Sequence, residues 1–67
     1  GSLIPPLTER ERQVLEMVCK GASNKTISRA LDIEEGTTKA IVRALCAKFD
    51  AENRTEVAIK ALSLGIG

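Results

Sequence analysis

The sequence predicts an all-α domain of four helices, and three kinds of observation carry that prediction. Two stretches, Thr8-x-x-Glu11 and Asn53-x-x-Glu56, have the form of a helix start in which a side-chain oxygen takes one orphan N–H and the acid three residues on reaches back for another. Apolar residues recur at helical spacing behind those starts, as in Val14, Leu15, Val18 and Cys19. Gly21, Asp32 and Gly65 stand where the runs end, and each tolerates the left-handed conformation in which a helix stops.

Gly1-Ser2 reads as a cloning remnant, so residues 1–6 are taken as remnant and linker and residues 7–67 as the domain. Pro5-Pro6 keeps the lead-in extended, because each proline disfavours helix in the residue before it. The first helix starts behind Thr8, turns Val14, Leu15, Val18 and Cys19 inward, and runs to about Lys20. Ser23 caps a second helix, Asn24 to Leu31, with Ile27, Ala30 and Leu31 inward. At two turns it needs packing to persist. Asp32-Ile33 forms a tight turn, with Ile33 filling the angle between two helices. The third helix runs from about Glu35 to Phe49, burying Thr38, Val42, Leu45 and Phe49, with Ile41 and Cys46 widening the stripe. Asp50-Ala51-Glu52 connects to a fourth helix that starts behind Asn53 and ends near Ser63 or Leu64.

With 67 residues, the chain makes one thin-cored domain, too small for a buried active site with its own pocket. It has no His, and nothing sets a pair of carboxylates in a cleft, so an enzyme is not predicted. Cys19 and Cys46 lie far apart in apolar stretches and read as reduced core residues; without His or a CxxC, no metal site and no cofactor is expected. A single aromatic, Phe49, cannot form a stacking platform for single-stranded nucleic acid. No apolar run approaches the roughly 18 residues of a membrane span, so no membrane partner is expected.

Net charge is only +1, but it is unevenly distributed. From Gly36 to Phe49 the charges are Lys39, Arg43 and Lys48, with no acid among them. The outward face of the third helix is Gly36, Lys39, Ala40, Arg43 and Ala47. Its small residues permit close approach of a duplex. Lys39 and Arg43, four apart, can donate to guanine edges, and Ala40 can touch a thymine methyl. Donors suited to flanking phosphates are Ser23, Asn24 and Lys25 at the start of the second helix, then Thr37, Lys48 and Arg54. Periodicity alone leaves two readings open: a face that enters the major groove, or an ordinary solvated basic face.

The segments LTERERQVLEMVCKGASNKTI (Leu7–Ile27), GTTK (Gly36–Lys39) and KFDAENRTEVAIKA (Lys48–Ala61) resemble the DNA-binding domain of the LuxR/FixJ (NarL-type, GerE-like) bacterial transcriptional regulators. The resemblance implies a four-helix helix-turn-helix domain of the LuxR-type, winged-helix-like superfamily, without a wing. It implies sequence-specific binding to double-stranded DNA as a dimer, with Lys39, Ala40 and Arg43 facing bases and Asn24, Lys25, Thr37 and Arg54 facing phosphates. It also implies the output domain of a two-component response regulator in the bacterial cytoplasm, with RNA polymerase as a further partner. On the fourth helix, Val57, Ala58, Ala61 and Leu62 make the apolar side. That leaves Ile59, Lys60 and Ser63 as the surface for a weak homodimer.

Three residues depart from the family's pattern. Thr38 stands where Val is usual, and its buried hydroxyl needs a partner, for which the carbonyl four residues back is the nearest choice. Ile41 stands where His is frequent. Glu34 replaces Ser or Thr at a helix start and brings negative charge towards any bound phosphate. Low net charge and Glu34 motivate an alternative, a protein-interaction module on the same fold with weakened DNA binding. A sigma-factor-like region is a narrower alternative, since the opening LTxRExxVL also suits that class.

Overall fold

A computed structural model describes residues 4–66 and contains four helices in chain order. They are α1 (Glu9–Cys19), α2 (Asn24–Leu31), α3 (Glu35–Lys48) and α4 (Arg54–Ser63). The remnant assigned to Gly1-Ser2 lies outside the described residues. Pro5 and Pro6 are non-helical, in keeping with the bias each proline puts on the residue before it, and Pro6 is fastened to the body through its carbonyl, which accepts from Lys48 Nζ at 3.0 Å.

Each predicted start is present. Thr8 N donates to Glu11 Oε1 at 2.8 Å and Glu11 N donates back to Thr8 Oγ1 at 3.1 Å, closing both halves of the capping box. Ser23 Oγ accepts from Thr26 N, and Asn53 Oδ1 accepts from Glu56 N. Glu34 makes no side-chain cap, so α3 begins without one.

All four helices end by one device. Gly21, Asp32, Asp50 and Gly65 have φ of 83°, 54°, 52° and 86°. The residue after each, namely Ala22, Ile33, Ala51 and Ile66, donates its N–H to the carbonyl five positions back at 2.8–3.0 Å. Ala22, Ala51 and Ile66 also pack on the core, so each stop doubles as an apolar anchor.

The buried apolar residues are Val14, Leu15, Val18, Ile27, Leu45, Phe49, Val57 and Ala61. α1 packs against α3 and α4, α2 against α3, and α3 also against α4. α3 therefore has its inner side held by every other helix.

Four inward assignments need correction. Ala30 is exposed rather than inward. α2 is short, and its buried residues are Ile27 and Ser28, with Leu31 partly buried beside them. Leu62 is 52% exposed and shares the outer side of α4 with Ile59, which is 63% exposed. Cys19 and Cys46 are free thiols but only half-buried at the core margin. Burial, with the Glu16 carboxylate nearby, raises the Cys19 thiol above its ordinary pKa. Among the described residues, no helix is long and apolar enough to cross a membrane, and no cluster of three acids, Cys or His is placed to hold a metal ion.

Candidate nucleic-acid interface

α2, the Asp32-Ile33 turn and α3 form the helix-turn-helix. The turn is set by Asp32, whose left-handed backbone lets Ile33 N close onto Ser28 O at 3.0 Å. The two helices are then locked by a buried hydroxyl pair, Ser28 Oγ and Thr38 Oγ1, 2.7 Å apart. Thr38 is fully buried and Ser28 is 6% exposed. Ser28 also donates to the Asn24 carbonyl at 2.7 Å. A hydroxyl has one hydrogen and a carbonyl only accepts, so Thr38 must be the donor to Ser28. The expected partner of Thr38, the carbonyl of Glu34, is used instead by the Thr38 backbone N–H at 3.1 Å.

With Thr38, Leu45 and Phe49 buried, the opposite side of α3 is Gly36, Lys39, Ala40, Arg43 and Ala47, and all five are exposed. Lys39 and Arg43 have no hydrogen bond or ion pair to any other described residue. A Cβ built on Gly36 would meet nothing within 4 Å, so the first turn of α3 is sterically open.

The rim residues sort into two groups. Lys25 and Thr37 are exposed and without partners in the chain. Ser23 is exposed, but its hydroxyl is engaged on both sides, accepting from Thr26 N and donating to Thr26 Oγ1 at 3.0 Å. That leaves the exposed Thr26 hydroxyl hydrogen without an acceptor among the described residues, a donor that the sequence reading did not name. The signal was available, since the capping oxygen of Ser23 puts the hydroxyl three residues on beside it.

Four of the residues expected at the phosphates or the dimer surface have partners within the chain. Lys48 Nζ donates to Glu11 Oε1 at 2.6 Å and to Pro6 O, so it ties the end of α3 to the start of α1. The ammonium beside it and the Thr8 N–H hold the Glu11 carboxyl below the ordinary glutamate pKa. Arg54 is half-buried and its guanidinium is forked between Asn24 Oδ1 and the Ala22 carbonyl, the latter at 2.6 Å. Lys60, expected on the dimer surface, donates to the carbonyls of Phe49 at 3.2 Å and Asp50 at 2.6 Å and pairs with Glu56 at 3.5 Å. Ser63 Oγ turns back to Lys60 O. Ile59 keeps its outward place, joined by Leu62.

Comparison with known proteins agrees with this geometry. The model of the family described as "Bacterial regulatory proteins, luxR family" matches residues 5–61. Escherichia coli (strain K12) NarL, named a nitrate/nitrite response regulator protein, is 42% identical over 53 residues, or 79% of this chain. Bacillus subtilis (strain 168) DesR, named a transcriptional regulatory protein, is 35% identical over 60 residues, or 90% of this chain. The chain spans 24% of NarL and 30% of DesR. Among solved structures, the transcription factor GerE superposes with a TM-score of 0.79 at 30% identity, covering 88% of each chain. VqmA from a Vibrio cholera VqmA–ligand–DNA complex superposes with a TM-score of 0.90 at 28% identity, covering all of this chain and 29% of that one. A family match across most of the chain, on a four-helix fold with an open basic α3, means that this chain belongs to the luxR family of bacterial regulatory proteins and is its helix-turn-helix DNA-binding domain, not an enzyme.

Proposed function

We propose that the domain reads double-stranded DNA by seating α3 in the major groove. The observation that carries this is the α3 surface: five exposed residues, two of them unpartnered cations, backed by a buried hydroxyl and core. Small residues at 36, 40 and 47 permit close approach. Lys39 and Arg43 donate to purine acceptors, and Ala40 meets a thymine methyl. Lys25, Thr37, Thr26 and the Asn24 amide face the flanking phosphates.

The likeness to NarL supports the output domain of a response regulator acting in the bacterial cytoplasm. Two such domains pair weakly through the apolar outer side of α4, Ile59 and Leu62. Two side chains bury far less than the roughly 1,200 Å² of a stable interface, so DNA or a further domain holds the pair together. RNA polymerase is the partner such a regulator engages.

The test is selection of duplexes from a fragmented bacterial genome, followed by affinity measurement with Lys39→Ala and Arg43→Ala. Unmodified protein is expected to enrich a sequence over bulk DNA, and each substitution to cost about 1–3 kcal/mol of discrimination. Because both side chains are exposed and unpartnered, thermal stability should move by no more than about 0.5 kcal/mol. Enrichment that survives both substitutions refutes the assignment of α3 to the groove.

A further inference from the structure

We propose that Arg54 serves DNA binding as a positioning residue, holding Asn24 so that the Asn24 amide N–H₂ faces a phosphate, and that Arg54 does not itself contact the duplex. The inference rests on the DNA-binding reading above.

A guanidinium carries only donors, so the Asn24 atom that meets Arg54 Nη1 must be the carbonyl oxygen. The amide nitrogen then points the other way, and it has no hydrogen bond to another described residue. Asn24 is held at a second point, because its backbone carbonyl accepts from Ser28 Oγ. It is also the first residue of α2, where the free backbone N–H groups already favour an anion. The second arm of Arg54 reaches the Ala22 carbonyl, fixing the loop that leads into that helix start. Both arms of the fork therefore end on the segment that presents the donor. The half-buried position of Arg54 suits this inward role, whereas Lys25 beside Asn24 is exposed and free.

The relay extends further. Ser28 binds Asn24 on one side and Thr38 on the other, so the same hydrogen-bonded chain reaches α3. Arg54 on α4 thus sets the phosphate donor of α2 in register with the groove face of α3.

The test is a double-mutant cycle read by fluorescence anisotropy on a random-sequence duplex, where phosphate contacts dominate. Asn24→Ala and Arg54→Ala are each expected to weaken binding about tenfold. Together they should be no weaker than Asn24→Ala alone. Arg54→Lys keeps the charge but cannot fork, so it should weaken binding as Arg54→Ala does and leave the salt slope unchanged. It also carries the cycle if Arg54→Ala fails to fold. Equal loss from Arg54 substitution with and without Asn24, wild-type affinity in Arg54→Lys, or a salt slope lower by about 0.9 in Arg54→Ala, overturns the proposal in favour of direct phosphate contact. If the unmodified domain retains no duplex, the DNA reading falls and takes this with it.

Discussion

Removing the two hydroxyls buried between α2 and α3 one at a time should give unequal costs. Thr38 donates to Ser28, and Ser28 donates to the Asn24 carbonyl. Thr38→Val removes a donor and takes away only something that Ser28 was accepting. Ser28 keeps its own bond, and the new methyl fills the site of the hydroxyl at a position with no exposure. The cost should lie within about 0.5 kcal/mol, since an intramolecular hydrogen bond is worth only about 1 kcal/mol net and the added methyl is buried. Ser28→Ala instead orphans the Thr38 hydroxyl in a fully buried place and strips the Asn24 carbonyl of its side-chain donor. An unsatisfied buried polar group costs about 1–3 kcal/mol. The double variant removes the orphan, so it should be more stable than Ser28→Ala alone. Urea titration of the three variants measures this. For a domain of this size about 1 kcal/mol corresponds to 4–8 °C in melting temperature, so the order is also visible by thermal melting. Thr38→Val costing as much as Ser28→Ala, or costs that simply add, would refute the donor direction assigned here.

Gly36→Ala should raise the melting temperature, by roughly 0.5 kcal/mol in stability, because the position is helical and an added Cβ meets nothing; the same methyl stands on the exposed side of α3 proposed to enter the groove, so duplex affinity should fall, which parallel melting and anisotropy would record. Glu11 has a folded pKa below its unfolded one, so its contribution is present above the unfolded value of about 4.3 and is lost as pH falls through the lower folded value. Glu11→Gln should therefore flatten the acid limb of a stability–pH curve below about pH 4.3 and lower stability near neutrality, as denaturant titrations across pH would reveal. Ile59→Lys, at a 63% exposed site, should leave the fold unchanged and abolish any concentration-dependent self-association detected by sedimentation.

The parts of this fold that were legible in the sequence are those decided within one turn of chain. Thr8 and Glu11, Ser23, and Asn53 and Glu56 meet their partners three residues away, so their caps follow from spacing alone. The exposed side of α3 follows likewise, since burial of Thr38, Leu45 and Phe49 dictates what remains outside. Periodicity failed where a helix is short or a residue falls between two faces. Ala30 has the right phase for the core but is exposed, whereas Leu31 beside it packs on the core and its carbonyl accepts from Arg10. Leu62 falls on the border of two faces, and only the packing of α1 and α3 against Val57 and Ala61 decides which side it takes.

The side-chain roles that were not legible belong to four cations, and one physical cause covers three of them. Arg10 donates to Leu31 O at 3.2 Å, Arg54 to Ala22 O, and Lys60 to the carbonyls of Phe49 and Asp50. Each therefore sits at or just beyond the C-terminus of a different helix, where unpaired carbonyls concentrate negative potential. Lys48 goes to a helix start, drawn by the Glu11 carboxylate that closes the capping box, and the other arm of Arg54 reaches Asn24 at the start of α2. These partners are separated in sequence by 10 to 37 residues, so no local pattern could pair them. Sequence counts all ten basic residues alike. Folding divides them: Arg10, Lys48, Arg54 and Lys60 are tied to other parts of the chain, while Arg12, Lys20, Lys25, Arg29, Lys39 and Arg43 are exposed and without side-chain partners among the described residues, the last four of them on α2 and α3. Of the acids nearest in sequence, Asp32 and Glu34 lie in the turn and Glu35 opens α3. A net charge of +1 is therefore compatible with two exposed, unpartnered cations, Lys39 and Arg43, on the outer side of α3, because the chain's charges are unevenly placed.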